Sequence, residues 1–313
     1  MPLNAGLVIP RGSASDLIAR VKLAESRGIT TAWTTVGGLG ADPVTALAAV
    51  GAATDRIGLG TAVAPTYPRH PITLAAQAIA INDLAPGRLR LGVGTSHKPI
   101  IEGAYGLPMG KPLAHLREYV TILRMLLWEG AADFSGDYFT VKMALPASVP
   151  APKIPVPISA LRPNAFRLAG EIADGAISWV TPIDYLTQTA LPELQAGAEA
   201  MGRKRPPLIA HVPISVSTDR AAARAAFRAQ FPIYPKLPFY AAMFAKAGYP
   251  VTADGEMTDE LVETLAVSGG PEEIRVRLEA IQARGIDELM VSHVVVADEK
   301  AELAELSQIL AGE

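Results

Sequence analysis

Five histidines, an arginine at a strand end and no cysteine define most of the chemistry open to this 313-residue chain. His97 closes the turn Gly94-Thr95-Ser96-His97. Histidine titrates near neutrality, so there it could protonate a substrate or donate to a cofactor, and its plain alternative is to cap the following loop. His293, with Val291 and Val294 around it, reads as a packed histidine with a backbone partner. His211 within a strand and His115 on a helix read as structural, and His70 of Arg69-His70-Pro71 as a helix cap. No two histidines have metal-ligand spacing, so no protein-held metal is expected. The absence of cysteine excludes disulfides, thiolate metal sites and Cys nucleophiles.

Ala160-Leu161-Arg162 stands immediately before Pro163, a residue suited to the first turn of a helix. Free backbone N–H groups, the helix dipole and a guanidinium all favour a phosphate there, whereas the plain alternative is an arginine paired with a surface carboxylate. Trp179-Val180-Thr181 completes a rim, its indole either core or a platform for a stacked ring.

The elements that must position these groups are legible from Arg56 to His97. Ile57 to Val63 is a short apolar run that reads as a strand buried on both faces; Pro71 opens a helix with Leu74, Ala78 and Ile81 on one stripe; Leu89 to Gly94 is the next strand. A strand, crossover helix and strand form a right-handed parallel unit, which brings Ala62-Val63-Ala64 and Thr95-Ser96-His97 to the same end. The rest of the chain repeats the unit. Strands are expected at Leu3 to Ile9, Thr30 to Val36, Val156 to Leu161, Gly175 to Val180, Leu208 to Val216 and Asp287 to His293. Among the helices, Pro112 to Glu129 has the clearest stripe (Leu116, Val120, Leu123, Leu127), and one from Thr181 to Met201 is expected to break at Pro192.

Eight strands alternating with helices predict an α/β fold, a (β/α)8 TIM barrel forming one domain over 1–313. Insertions are expected near 131–157, with a hairpin at Phe134 to Phe139, and near 218–268, where Phe231 to Val251 reads as a lid or substrate-side subdomain. In such a barrel, chemistry sits at the C-terminal ends of the strands. An open doubly wound sheet would need a glycine-rich phosphate loop after the first strand, and Ile9-Pro10-Arg11-Gly12-Ser13 is not one.

Half the residues are hydrophobic, 19% are charged and the formal net charge is -3, so nothing provides the basic field that nucleic acid requires. A small-molecule partner is expected, with neither nucleic acid nor membrane. No apolar run approaches the roughly 20 residues of a span, and the start Met1-Pro2-Leu3-Asn4 lacks a signal pattern, so a cytoplasmic protein is expected. A homodimer is expected as well, since the small-residue helix Val44 to Ala53 could pack closely against a partner.

The passage Gly60-Thr61-Ala62-Val63, Tyr67-Pro-Arg-His70-Pro71, Asp83-Leu84-Ala-Pro-Gly87-Arg88 and Leu91-Gly92-Val93-Gly94 resembles the bacterial luciferase-like family of flavin and deazaflavin TIM-barrel oxidoreductases. Leu168-Ala-Gly170-Glu-Ile-Ala-Asp174-Gly175 and Gly269-Gly-Pro271-Glu-Glu-Ile274 extend the resemblance over nearly the whole length. The turn from Thr95 to Lys98, with Glu102, Tyr105-Gly106-Leu107 and Arg117-Glu118-Tyr119, is similar to the actinobacterial subgroup that uses the deazaflavin coenzyme F420.

The resemblance implies a non-proline cis peptide at Ala62-Val63 in a bulge on which the flavin ring leans. It also implies phosphate contacts near Ala160, Leu161 and Arg162. The residues expected to bind cofactor are Ala62, Val63, Ala64, Thr95, Ser96, His97, Ala160, Leu161, Arg162, Trp179 and Val180, with His97 as the catalytic group. Where many members carry an acid or histidine at the end of the second strand, this chain has Val36 and Gly37. That departure removes the usual proton acceptor of the family's alcohol and sugar-phosphate dehydrogenases. The expected activity is hydride transfer from reduced F420 to a small organic acceptor. An FMN-dependent monooxygenase fed by a separate reductase is the enzymatic alternative, and a non-catalytic deazaflavin-binding protein is the alternative of another class.

Overall fold

The computed structural model describes residues 3–312; Met1, Pro2 and Glu313, which the expected unit 1–313 includes, lie outside the described residues. Strands β1 (Ala5–Ile9), β2 (Thr31–Thr34), β3 (Gly58–Thr61, continued by Ala64–Pro65), β4 (Leu89–Arg90, continued by Val93–Gly94), β5 (Pro157–Ser159), β6 (Gly175–Ser178), β7 (Leu208–Val216) and β8 (Glu288–His293) pair in parallel, each with the next in sequence. The ring closes where β8 pairs with β1, Ala5 standing opposite Leu289. This is the expected α/β barrel, with strand ends shifted by two residues at most.

The helices after β1, β2 and β3 start at side-chain caps. Helix α1 (Ala14–Ser26) opens with a capping box, Ser13 accepting from Asp16 N while the Asp16 carboxylate accepts from Ser13 N. Asp42 accepts from Thr45 N at the start of α2 (Pro43–Ala53), and His70 Nδ1 accepts from Ile72 N at 3.3 Å to begin α3 (Pro71–Leu84). After α4 (Lys98–Gly103) and α5 (Pro112–Arg124), a hairpin of Ala131–Ser135 and Thr140–Ala144 is held to α5 by Glu118. Its carboxylate accepts from the N–H groups of Asp137, Tyr138 and Phe139.

Two expectations are corrected. The fourth strand is divided, because Leu91 turns its N–H to Pro155 O at 2.9 Å. At the division, Gly92 lies so close to β3 that a Cβ would sit 2.0 Å from Thr61 O. Pro192 does not break its helix, since a wide turn over Leu186–Ala190 leads into Leu191–Ala200 with the proline in the first turn, where no donor is needed. The segment 218–268, expected to hold a lid or substrate-side subdomain, has secondary structure of its own. It holds helices Arg220–Gln230, Pro238–Lys246 and Asp259–Leu265, then a short strand Val267–Gly269 that extends the sheet beside the end of β7. Within the chain, one face of α2 packs closely: Val44, Leu47, Val50 and Gly51 are buried, and a Cβ on Gly51 would approach the Ala85 Cβ to 2.9 Å, while Thr45, Ala49 and Ala52 stay exposed.

The barrel interior is a layer of its own. Val8, Trp33, Ala62, Ile177, Ile209 and Met290 form one buried cluster, separate from the core between sheet and helices. Trp33 fills it, because Gly60 leaves its ring room; a Cβ there would fall 2.2 Å from the indole. Beneath Trp33, Arg90 lies 4.4 Å from the ring centroid and pairs with Glu288, which also accepts from Trp33 Nε1 at 3.2 Å. This pair, Glu288 buried and Arg90 partly exposed, closes the end of the barrel away from the strand C-termini. Removing Arg90 would strand the buried Glu288 carboxylate at a cost of about 3 kcal/mol.

Candidate active site

The other end of the barrel gathers the strand-end residues. The Ala62–Val63 peptide between the two parts of β3 is cis, as the resemblance implies. Ala64 N then donates to Gly92 O at 2.8 Å and Thr66 N to Gly94 O at 2.9 Å, which ties this bulge to β4. Gly94 is where three strands converge: a Cβ built there would lie 2.2 Å from Ser159 Oγ and 2.7 Å from Val63 Cγ2. From β5 the contact passes to β6, as Ala160 N donates to Ile177 O at 2.9 Å. Val63 and Trp179 pack on the same interior cluster. Residues Ala62 to Ala64, Ser159 to Ala160 and Trp179 therefore share one mouth.

His97 is half-buried at the start of α4, and its side chain makes no cap hydrogen bond. The capping alternative thus has no bond to support it. Burial lowers the pKa of His97 from the ordinary 6.5. Its ring meets Tyr240 edge to face, centroids 5.9 Å apart. Thr95 and Ser96, before it, are half-buried, and Ser96 has φ of 60°. Arg162 is exposed at the N-cap of α6 (Pro163–Ile172), where no side chain caps the first turn. Among the described residues no carboxylate forms a salt bridge with it; its guanidinium lies 4.8 Å from the Phe239 ring centroid.

Trp179 and Val180 follow the end of β6. The indole stacks on His211 with centroids 3.7 Å apart and planes at 6°. Trp179 Nε1 is buried without a hydrogen bond of good geometry. Burial raises the pKa of the neighbouring Tyr234 phenol, and the indole N–H opposes that only in part. Val180 has φ of 46°, a left-handed value rare for a β-branched residue. Its N–H donates to His211 Nδ1 at 3.3 Å.

The remaining histidines lie elsewhere. His70 caps α3 as expected. His115 is buried against Tyr67, rings 3.9 Å apart, and shares a hydrogen bond with Thr66 Oγ1 at 3.1 Å; burial lowers its pKa to about 4. His293 is packed, but its partner is not backbone: Nε2 meets Glu302 Oε2 at 3.1 Å. Burial tends to raise the Glu302 pKa, yet the N–H groups of Val296, Ala297 and Asp298, together with His293, lower it overall. Val36 and Gly37 lie beyond β2 in a loop where Gly37, Gly38 and Gly40 have positive φ, and Leu39 is fully exposed. Two clefts of about 320 and 310 Å³ lie away from the mouth, sharing Glu263, Ala266 and Arg277 in their walls, and contain no strand-end histidine.

Sequence reading missed the two rings from the segment 218–268, Phe239 and Tyr240, and the inward position of His211. The second had a signal: counting alternate residues along β7 from Ile209, which is in the interior cluster, puts His211 on the inner face.

A family model described as luciferase-like monooxygenase matches residues 3–288. The chain belongs to this luciferase-like family. Its relatives include an F420-dependent glucose-6-phosphate dehydrogenase of Nakamurella multipartita, 38% identical over 187 residues, 56% of this chain and 53% of that protein. The 5,10-methylenetetrahydromethanopterin reductase of Archaeoglobus fulgidus is 27% identical over 314 residues, 93% of each chain. The solved structure of the coenzyme F420 dependent tetrahydromethanopterin reductase from Methanopyrus kandleri superposes with a TM-score of 0.80 at 19% identity, over 100% of this chain and 99% of that one. This structural likeness concerns the fold. Among the described residues no helix is long and apolar enough to cross a membrane.

Proposed function

We propose that this luciferase-like protein is a coenzyme F420-dependent oxidoreductase that passes a hydride from the reduced deazaflavin to a small organic acceptor. The observation that carries the reading is the convergence, at one barrel mouth, of the Ala62–Val63 bulge, the His97 turn and an Arg162 that forms no salt bridge among the described residues. The relative named as F420-dependent at 38% identity supports the deazaflavin over FMN.

The residues present fit such a coenzyme. The uncapped start of α6 offers backbone N–H groups beside the Arg162 guanidinium, which suits a phosphate. Leu161 and Ala160 bring the chain to that helix from β5. Ala62, Val63 and Ala64 supply an apolar bulge for a flat ring, with Thr95 and Ser96 on the neighbouring strand end and Trp179 and Val180 across the mouth. When bound, the deazaflavin supplies the hydride.

The chain's own task is to orient the reactants and supply a proton. His97 holds that proton at a ring nitrogen, since no acid or histidine stands at Val36 or Gly37. Its neighbour Tyr240, which is buried, and the exposed Phe239 line the mouth on the side of the 218–268 segment.

Titrating the protein with F420 and, separately, with FMN tests the reading through quenching of each ring's fluorescence. F420 is expected to bind more tightly, and its reduced form to be oxidised steadily once an acceptor is added. Preferential FMN binding would favour the monooxygenase, and tight F420 binding with no turnover across a panel of carbonyl and enone acceptors would favour a carrier.

A further inference from the structure

The inner face of β7 carries a fully buried polar residue where an aliphatic one would pack with no polar group to satisfy. His211 is 1% exposed, between Ile209 and Pro213 on that face, and burial lowers its pKa to about 3, so the ring is neutral. Both nitrogens are used. Nδ1 accepts the Val180 N–H at 3.3 Å, which leaves the ring proton on Nε2 to donate to Ser292 Oγ of β8 at 2.9 Å. The ring plane lies parallel to the Trp179 indole at 3.7 Å, and Phe231 meets both rings edge-on, at 6.4 Å from Trp179 and 5.6 Å from His211. One side chain thus grips two consecutive residues: Trp179 by its face and Val180 by its N–H. Val180 needs such a hold, because its φ of 46° is one that β-branched residues rarely adopt.

We propose that His211, oriented by Ser292, is a positioning residue that fixes the Trp179–Val180 turn so that the indole forms a rigid wall of the coenzyme site. The proposal rests on the reading of Trp179 and Val180 as coenzyme contacts. His211 itself touches neither coenzyme nor acceptor; it acts through the turn. Trp179 has a buried Nε1 without a hydrogen bond of good geometry, so stacking on His211 contributes to holding the indole in place.

The chain has three tryptophans, Trp33, Trp128 and Trp179, so full-length protein labelled with 5-fluorotryptophan gives three fluorine resonances, that of Trp179 assigned with Trp179→Phe. His211→Phe keeps a ring to stack and deletes both hydrogen bonds. The Trp179 resonance is expected to shift or split while those of Trp33 and Trp128 stay, and the Kd for F420 to rise about five- to tenfold, the size of one lost hydrogen bond. His211→Asn, whose Oδ1 can accept from Val180 but which has no ring to stack, is expected to recover only the part of that affinity carried by this bond. Should His211→Phe not fold, Ser292→Ala removes only the orienting partner and is expected to move the same resonance. An unmoved Trp179 resonance in the folded variants, or a lowered melting temperature with the F420 Kd unchanged, overturns the proposal. Wild-type protein that fails to bind F420 overturns instead the coenzyme reading beneath it, a result told apart because the variants would still move the Trp179 resonance.

Discussion

His97 meets Tyr240 edge to face at 5.9 Å, and the residue before Tyr240, Phe239, stacks on Arg162 at 4.8 Å. The first turn of the helix Pro238–Lys246 therefore joins the two groups given separate roles in the mouth, the proton at β4 and the phosphate at α6. Neither group is tied to the other by sequence; the 218–268 segment connects them.

His97→Ala is expected to lower turnover by about 10²–10⁴-fold while leaving F420 affinity nearly unchanged. Burial lowers the His97 pKa, so wild-type rate should decline as pH rises through a value below the ordinary 6.5. A single-turnover pH profile checks both. Loss of affinity before rate would reassign His97 to coenzyme binding, and a normal rate with a melting temperature reduced by the equivalent of about 1 kcal/mol would make it a loop cap.

Arg162→Ala should weaken F420 binding by roughly 1.5–3 kcal/mol and spare the fold, because the guanidinium is exposed and its charge would meet a phosphate. Fluorescence quenching at low and high salt measures it. Equal affinity in the two proteins at both salts would return Arg162 to the surface.

Gly60→Ala should destabilise the barrel by about 1–3 kcal/mol or more, since the new methyl would lie 2.2 Å from the Trp33 ring. Urea unfolding followed by Trp fluorescence reports it. An unchanged midpoint would mean that Trp33 has room to move, against its complete burial.

Acid should destabilise the protein through its neutral buried histidines. The folded pKa of His115 is about 4 against 6.5 in an unfolded chain, so between those values the unfolded state binds the extra proton. Its contribution is complete above pH 6.5 and is lost as pH falls towards 4, on the order of 3 kcal/mol. His211 acts with the same sign. His115→Phe should flatten the fall in melting temperature between pH 6.5 and 4.5; an equally steep fall would assign the acid sensitivity elsewhere.

The sequence by itself determined the strand and helix order, because that order follows from local signals: the apolar runs of β3 and β7, the caps at Ser13, Asp42 and His70, and the prolines that open helices. Through strand order it also determined which end of the barrel would carry Val63, His97, Arg162 and Trp179. What it left open were relations between residues far apart in the chain. The partner of His293 is a carboxylate from the following helix, and no periodicity specifies a pairing across a loop. Phe239 and Tyr240 reach the mouth because the 218–268 segment folds into helices packed over it, a matter of burial and not of local propensity. The tertiary structure alone decided that His211, an apparently ordinary strand residue, has the Trp179 face on one side and Ser292 on the other. Strand alternation could place its side chain inside the barrel, but only closure of the sheet brings β6 and β8 to either side of β7, and with them both of its partners.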